Sequence, residues 1–176
     1  MRVGFAQINP TVGDFAGNSA KILAAYDDLV SRGADVVLTP ELALPGYPPQ
    51  DLLFKSRFVP GNLEALATIE SRTGSVPLLV GYVDPNTGPG RPFRNSAAIL
   101  QRDRPIRKIF KSLLPTYDVF DEARYFHPGE SRHPVEIAGV PCGITICEDI
   151  WSRDYLPREL YDCDPLADLV AQGAKM

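Results

Sequence analysis

The chain is short of the residues that build disulfide frameworks and metal sites. It has three cysteines, Cys142, Cys147 and Cys163, an odd number with no C-x-x-C pair among them. Such a set argues against a disulfide scaffold and against a zinc ribbon. Histidine is scarcer still. His127 and His133 both precede a proline in loop-like segments, which suits turn or surface residues better than ligands, so no metal is expected. Long apolar runs are also missing. None approaches the roughly 20 residues that span a bilayer, and the first residues lead directly into a strand pattern with no signal-peptide core. No membrane partner and a cytoplasmic location are therefore expected. Nor is there an excess of positive charge: 18 Lys and Arg stand against 22 Asp and Glu, which removes the basic footprint that nucleic acid requires. The glycine cluster Thr87-Gly88-Pro89-Gly90 lacks the Lys-Ser/Thr ending of a phosphate loop and reads as a turn.

What is present is an alternation of strand and helix patterns in a chain of 176 residues, long enough for one sizeable domain. Residues 3–8 read as a strand broken by Asn9-Pro10. Asn18 reads as the cap of a helix whose apolar stripe is Ile22, Leu23, Tyr26, Leu29 and Val30, stopped by Gly33. Residues 36–39 form a short continuous apolar run, the pattern of a strand covered on both faces. A second helix is expected over about residues 60–71, a strand over 77–83, a loop over 84–94, and a hairpin of 96–101 with 106–110. Strands near 135–137 and 143–146 lead to Cys147, where Glu148 and Asp149 suit the first turn of a helix. The total is an α/β pattern. Residues 28–35 are echoed by residues 168–175. The first copy ends a helix and opens a buried strand, so the second copy predicts another strand, and the chain is expected to stop partway through a fold.

Three polar residues stand where strands are expected to end. Glu41 follows the run 36–39, Lys111 follows 106–110, and Cys147 follows 143–146. Ligands collect at the carboxyl ends of strands in α/β sheets, so the three converge if their strands are neighbours running the same way. Their chemistry is complementary. The N–H groups of a following helix can lower a thiol pKa at Cys147. Glu41, desolvated, can accept the thiol proton. Lys111 and the backbone N–H of Glu148 can donate to an oxyanion. Each residue also has a purely structural reading: Cys147 as a buried strand end, Glu41 as a loop residue, Lys111 as a solvated strand end.

The segments Thr39-Pro40-Glu41-Leu42, Lys108-Ile109-Phe110-Lys111-Ser112-Leu113-Leu114-Pro115 and Ile144-Thr145-Ile146-Cys147-Glu148-Asp149-Ile150-Trp151, in that order, resemble the nitrilase (carbon–nitrogen hydrolase) superfamily with its Glu-Lys-Cys triad. Within it, Pro45-Gly46-Tyr47-Pro48-Pro49-Gln50-Asp51-Leu52-Leu53 and residues 114–126 resemble the glutaminase domain of glutamine-dependent NAD synthetases. The resemblance implies a nitrilase-type α-β-β-α sandwich, incomplete in this chain. Residues 1–176 would be the carbon–nitrogen hydrolase domain, cut off after the nucleophile helix, with the ATP-dependent synthetase domain absent. It implies L-glutamine as substrate, a homo-oligomer, no cofactor for the glutaminase step, and ATP and Mg only in the synthetase domain. Cys147 would attack the side-chain amide to form a thioester, Glu41 would carry the proton to the departing ammonia, and Lys111 would steady the oxyanion. Tyr117 matches a position that contacts glutamine, and Glu122 the further glutamate held beside the lysine. Tyr47 falls in the loop after Glu41, as pocket wall or packing. Trp151, one turn into the expected helix, reads as core. Two other readings stay open: a different small-amide amidase of the same superfamily, and a non-catalytic fragment or interaction module.

Overall fold

β-branched and leucine-rich runs assemble a five-stranded sheet in the computed structural model, which describes residues 1–151 and 160–176. β1 (Val3–Phe5), β2 (Val36–Leu38) and β3 (Leu78–Pro85) pair in parallel. β4 (Phe93–Leu100) and β5 (Arg107–Phe110) follow as antiparallel neighbours, giving the order β1-β2-β3-β4-β5. Two antiparallel steps restore direction, so β5 runs the same way as β2. The ends of β2 and β5 and the start of β4 therefore open on one edge of the sheet.

Helices α1 (Phe15–Ser31) and α2 (Phe58–Arg72) cover one face. Ile22, Leu23, Tyr26, Leu66 and Ile69 pack there against Val37, Leu78, Val80, Ala98 and Leu100. Full burial of a side chain such as Ile22 or Leu78 contributes about 1.5–3 kcal/mol relative to exposure. On the opposite face Val36, Leu79 and Ile99 meet Val135, Ile137 and Cys142. These come from the hairpin of β6 (Val135–Ile137) and β7 (Val140–Cys142). Two short α-helices, α3 (Glu122–Tyr125) and α4 (Pro165–Ala171), and 3₁₀ turns at Gln50–Phe54 and Cys147–Ile150 complete the described elements. The described residues thus stack as helices, central sheet and a second small sheet.

Several expectations are corrected. α1 is capped by Asp14, whose side chain accepts from the Gly17 N–H, and not by Asn18. Asn18 lies inside the helix, fully buried. Its amide bonds the carbonyls of Thr11 and Leu44 and accepts from the Thr11 N–H, tying together the loops that follow β1 and Glu41. β1 ends at Phe5 rather than residue 8. β3 and β4 extend into the expected 84–94 loop, because their pairing continues to Pro85 opposite Phe93. Residues 143–146 form no ladder, and Cys147–Ile150 is a 3₁₀ turn rather than the start of a long helix. Trp151, at its end, is 39% exposed and is not core.

The internal echo is structural. At the end of α1, Gly33 takes a φ of +82°, the Ala34 N–H bonds the Leu29 carbonyl and the Asp35 N–H bonds Arg2 beside β1. At the end of α4, Gly173 takes +93°, Ala174 bonds Leu169 and Lys175 bonds Pro141 in β7. Both turns need the left-handed conformation that glycine adopts without strain. The Gly143 N–H then bonds the Met176 carbonyl, so the last two residues lie beside β7 as the start of β2 lies beside β1.

Candidate active site

Glu41 is delivered by a loop that presses onto β3. The Leu44 N–H bonds the Gly81 carbonyl, and the Gly81 N–H bonds the Thr39 hydroxyl. A Cβ at Gly81 would stand 2.5 Å from the Pro40 carbonyl oxygen and from the Leu42 nitrogen. Only glycine lets the backbone on either side of Glu41 come this close. Lys111 follows β5 directly and its backbone N–H bonds the Asn95 carbonyl on β4. Glu122 opens α3.

These elements bring Glu41, Lys111 and Glu122 together. The Lys111 ammonium donates to Glu41 Oε1 at 2.6 Å and to Glu122 Oε1 and Oε2 at 2.8 and 2.9 Å. The Lys111 side chain is fully buried, so the solvated strand end of the structural reading is excluded. Burial works against this ammonium, but the two carboxylates outweigh it and hold its pKa above the ordinary lysine value. Burial pushes Glu122 up, Lys111 pulls it back, and the neighbouring Glu41 charge adds to the rise. The Tyr47 hydroxyl donates to Glu122 Oε1 at 3.0 Å, so this tyrosine touches the cluster besides packing beside it.

Cys147 reaches the same edge from the second layer, past β7, and not from a strand of the central sheet. It sits at a φ of +46°, where a residue with a Cβ is strained. Glu41 and Cys147 both line a cavity of about 320 Å³, with Leu38, Leu79, Ala97 and residues 143–146 as walls. Cys147 is exposed overall. The pocket walls nonetheless desolvate the thiol and push it up to about 11, and Glu41 adds to the shift by charge and hydrogen bonding, against Lys111. This corrects the expectation of a depressed thiol pKa, which rested on a helix that the chain does not form there. The resting group is a neutral thiol beside a carboxylate.

Asp149 fixes the turn that carries Cys147. Its carboxylate is buried and accepts from the backbone N–H groups of Ser112 at 2.9 Å, Leu113 at 2.8 Å and Ile146 at 3.1 Å. One side chain thus joins the residue before Cys147 to the two residues after Lys111. Burial pushes Asp149 up in spite of these three donors. Glu148 is buried too and accepts from two phenols, Tyr117 at 2.8 Å and Tyr161 at 2.8 Å. Burial and the Glu148 carboxylate push Tyr117 up to about 12.

All seven expected site residues are accounted for. Glu41, Lys111, Glu122 and Tyr47 form one hydrogen-bonded cluster, Tyr117 and Glu148 a second, and Cys147 lies at the mouth between them. Three participants escaped the sequence reading: Asn95, Asp149 and Tyr161. Each acts by a hydrogen bond between residues distant in the chain, and none belongs to a motif that announces this. Among the described residues no group of three His, Cys, Asp or Glu side chains is arranged to hold a metal ion, and no helix is long and apolar enough to cross a membrane.

The layered sheet and the polar cluster at its strand ends define a hydrolase of the α/β class. The chain belongs to the carbon-nitrogen hydrolase family, whose model matches residues 2–158. A glutamine-dependent NAD(+) synthetase from Synechocystis sp. is 41% identical over 180 residues, covering 99% of this chain and 32% of that protein. The chain spans about a third of the length of the curated relatives it matches. Among solved structures, the glutamine-dependent NAD+ synthetase of Acinetobacter baumannii in complex with ADP superposes with a TM-score of 0.79 at 31% identity, covering 87% of this chain and 28% of that one. An amidase from Nesterenkonia sp. superposes at 0.76 with 22% identity over 99% of this chain and 62% of its own, and shares the fold.

Proposed function

We propose that these residues hydrolyse the side-chain amide of L-glutamine through a thioester on Cys147. In a longer polypeptide the ammonia would serve the ATP-dependent amidation of deamido-NAD to NAD. The observation that carries the reading is the buried Lys111 ammonium bridging Glu41 and Glu122 beside an accessible thiol. Cys147 Sγ attacks the amide carbon while its proton passes to Glu41, a general-base role worth about 10²–10⁴ in rate. The tetrahedral oxyanion is held by the Lys111 ammonium and the Glu148 backbone N–H, each such donor worth about 10²–10³. Glu41 returns the proton to the departing nitrogen, ammonia leaves, and the glutamyl group remains on sulfur. Water then attacks the thioester with Glu41 again as base, releasing glutamate and restoring the thiol.

Three features support glutamine over other amides. The cavity lies at the small end of ligand clefts, which span about 300–1,000 Å³, as an amino-acid amide requires. The Glu148 carboxylate, which accepts from Tyr117 and Tyr161 and follows Cys147 in the chain, lies outside the lining of this cavity but brings charge of the right sign for an α-ammonium group close to the thiol. The curated relatives that cover nearly the whole chain, at 41% and 37% identity, are glutamine-dependent NAD(+) synthetases. Residues 1–176 are read as the glutaminase unit, with ATP and Mg assigned to a synthetase domain outside them.

The test is ammonia release from glutamine, asparagine and small aliphatic amides by the full natural polypeptide, with Cys147→Ala and Glu41→Gln beside it. The reading expects glutamine to be preferred and both substitutions to abolish release. Preference for an aliphatic amide would make the chain a different amidase of the family. Release unchanged by both substitutions would contradict the mechanism itself.

A further inference from the structure

Asn95 belongs to the cluster, yet the proposed chemistry gives it no step. It is the third residue of β4, beside the ends of β2 and β5, opposite Val83 on β3 and bonded through its carbonyl to the Lys111 N–H. It is 1% exposed. Its Nδ2 donates to Glu41 Oε1 at 2.6 Å and to Glu122 Oε2 at 3.2 Å. The two amide hydrogens thus go to two different carboxylates. Turning the amide over would set Oδ1 against two carboxylate oxygens, so its partners fix its orientation. Oδ1 is buried and finds no donor among the described residues. Packing alone would not select such a group, since an apolar side chain of similar size fills the space without stranding a carbonyl.

We propose that Asn95 is a positioning residue that holds Glu41 and Glu122 at fixed places around Lys111 and keeps Glu41 aimed at Cys147. The proposal rests on the reading of Cys147 as nucleophile and Glu41 as base. The chemistry of the amide is what the position requires. A second cation here would neutralise the base, and a third carboxylate would be repelled by the two already present. An amide gives each carboxylate a donor and adds no charge. The titratable groups around it are Glu41 from the loop after β2, Lys111 from the end of β5 and Glu122 from α3. Cys147 stands beyond Glu41, and the Tyr47 hydroxyl beyond Glu122. Asn95 does not line the cavity shared by Glu41 and Cys147, so its loss acts on turnover more than on substrate binding.

The experiment compares Asn95→Ala, Asn95→Asp and Cys147→Ala with the wild type in the full natural polypeptide. Thermal melts are recorded, with steady-state amide hydrolysis between about pH 5 and 10. For Asn95→Ala, kcat falls at least about tenfold while KM stays within about twofold. The acid limb of kcat moves to higher pH, because the base has lost an N–H donor that favoured its charged form. Asn95→Asp has nearly the same shape, so it carries the test if the alanine variant does not fold. Its introduced carboxyl can donate while protonated, so it retains activity near pH 6 and loses it as pH rises, a limb the amide cannot produce. Wild-type kcat and unchanged limbs in both variants would overturn the proposal, as would losses that only track melting. Hydrolysis that survives Cys147→Ala would overturn the nucleophile reading and this proposal with it, an outcome distinguishable because the Asn95 variants leave the thiol in place.

Discussion

Burial and the neighbouring Glu41 charge keep the Cys147 thiol protonated at rest. A thiol held up to about 11 is ionised in only about one molecule in a thousand at pH 8. Substituting Glu41→Gln removes a carboxylate that raises the thiol, so its pKa falls. Iodoacetamide should then alkylate Cys147 several-fold faster at pH 8, while amide hydrolysis drops about 100-fold or more because the base is gone. The two readouts move in opposite directions, and peptide mass mapping against Cys142 and Cys163 separates the sites. Lys111 poses a different balance. Lys111→Met removes the counter-charge of two neighbouring carboxylates and should lower stability by about 3–5 kcal/mol in urea unfolding at pH 8. Unpaired, those carboxylates bind protons more tightly folded than unfolded. The deficit should therefore shrink as pH falls from about 8 to 5, and deepen as it rises.

Local elements decide whether these side chains meet. Asp149 spans from the residue before Cys147 to the two residues after Lys111. Asp149→Ala strands three buried N–H groups and should destabilise the protein by about 2–4 kcal/mol, with faster hydrogen exchange at Ser112 and Leu113. Gly81 acts by what it leaves out. Gly81→Ala puts a methyl group 2.5 Å from the backbone on both sides of Glu41. It should cut kcat at least about tenfold without touching substrate, with a lower melting temperature as the second readout. Neither role was legible in the sequence. Asp149 looks like a residue of a helix first turn, and Gly81 like an interruption in an apolar run, because each works through a contact more than 30 residues away. Asn18 misled because its residue type suits a cap, while its partners Thr11 and Leu44 lie in two loops that only the folded chain brings together. What could be read were the local patterns, namely the stripe of α1, the buried run of β2 and the β4–β5 hairpin.

At the scale of the whole molecule, the order of motifs carried further than the secondary-structure detail around them. Glu41 and Lys111 share an edge because β2 and β5 run the same way in one sheet, as the α/β pattern requires. Cys147 arrives from the second layer, which strand-end reasoning within a single sheet does not anticipate. The repeat of residues 28–35 in 168–175 proved a repeat of the helix end and of the turn that leaves it, down to the same backbone bonds, while residues 174–176 lie beside β7 without forming a strand. A chain built this way places a thiol, a carboxylate and an ammonium at the meeting of two layers, and the account stands on that thiol becoming acylated. The most direct measurement is mass spectrometry of the full natural polypeptide, quenched in acid during turnover of glutamine. The account predicts an adduct on the peptide bearing Cys147 with the mass of glutamine less ammonia, lost in Cys147→Ala together with ammonia release. Ammonia release that continues in Cys147→Ala, with no adduct on that peptide in the wild type, would contradict it.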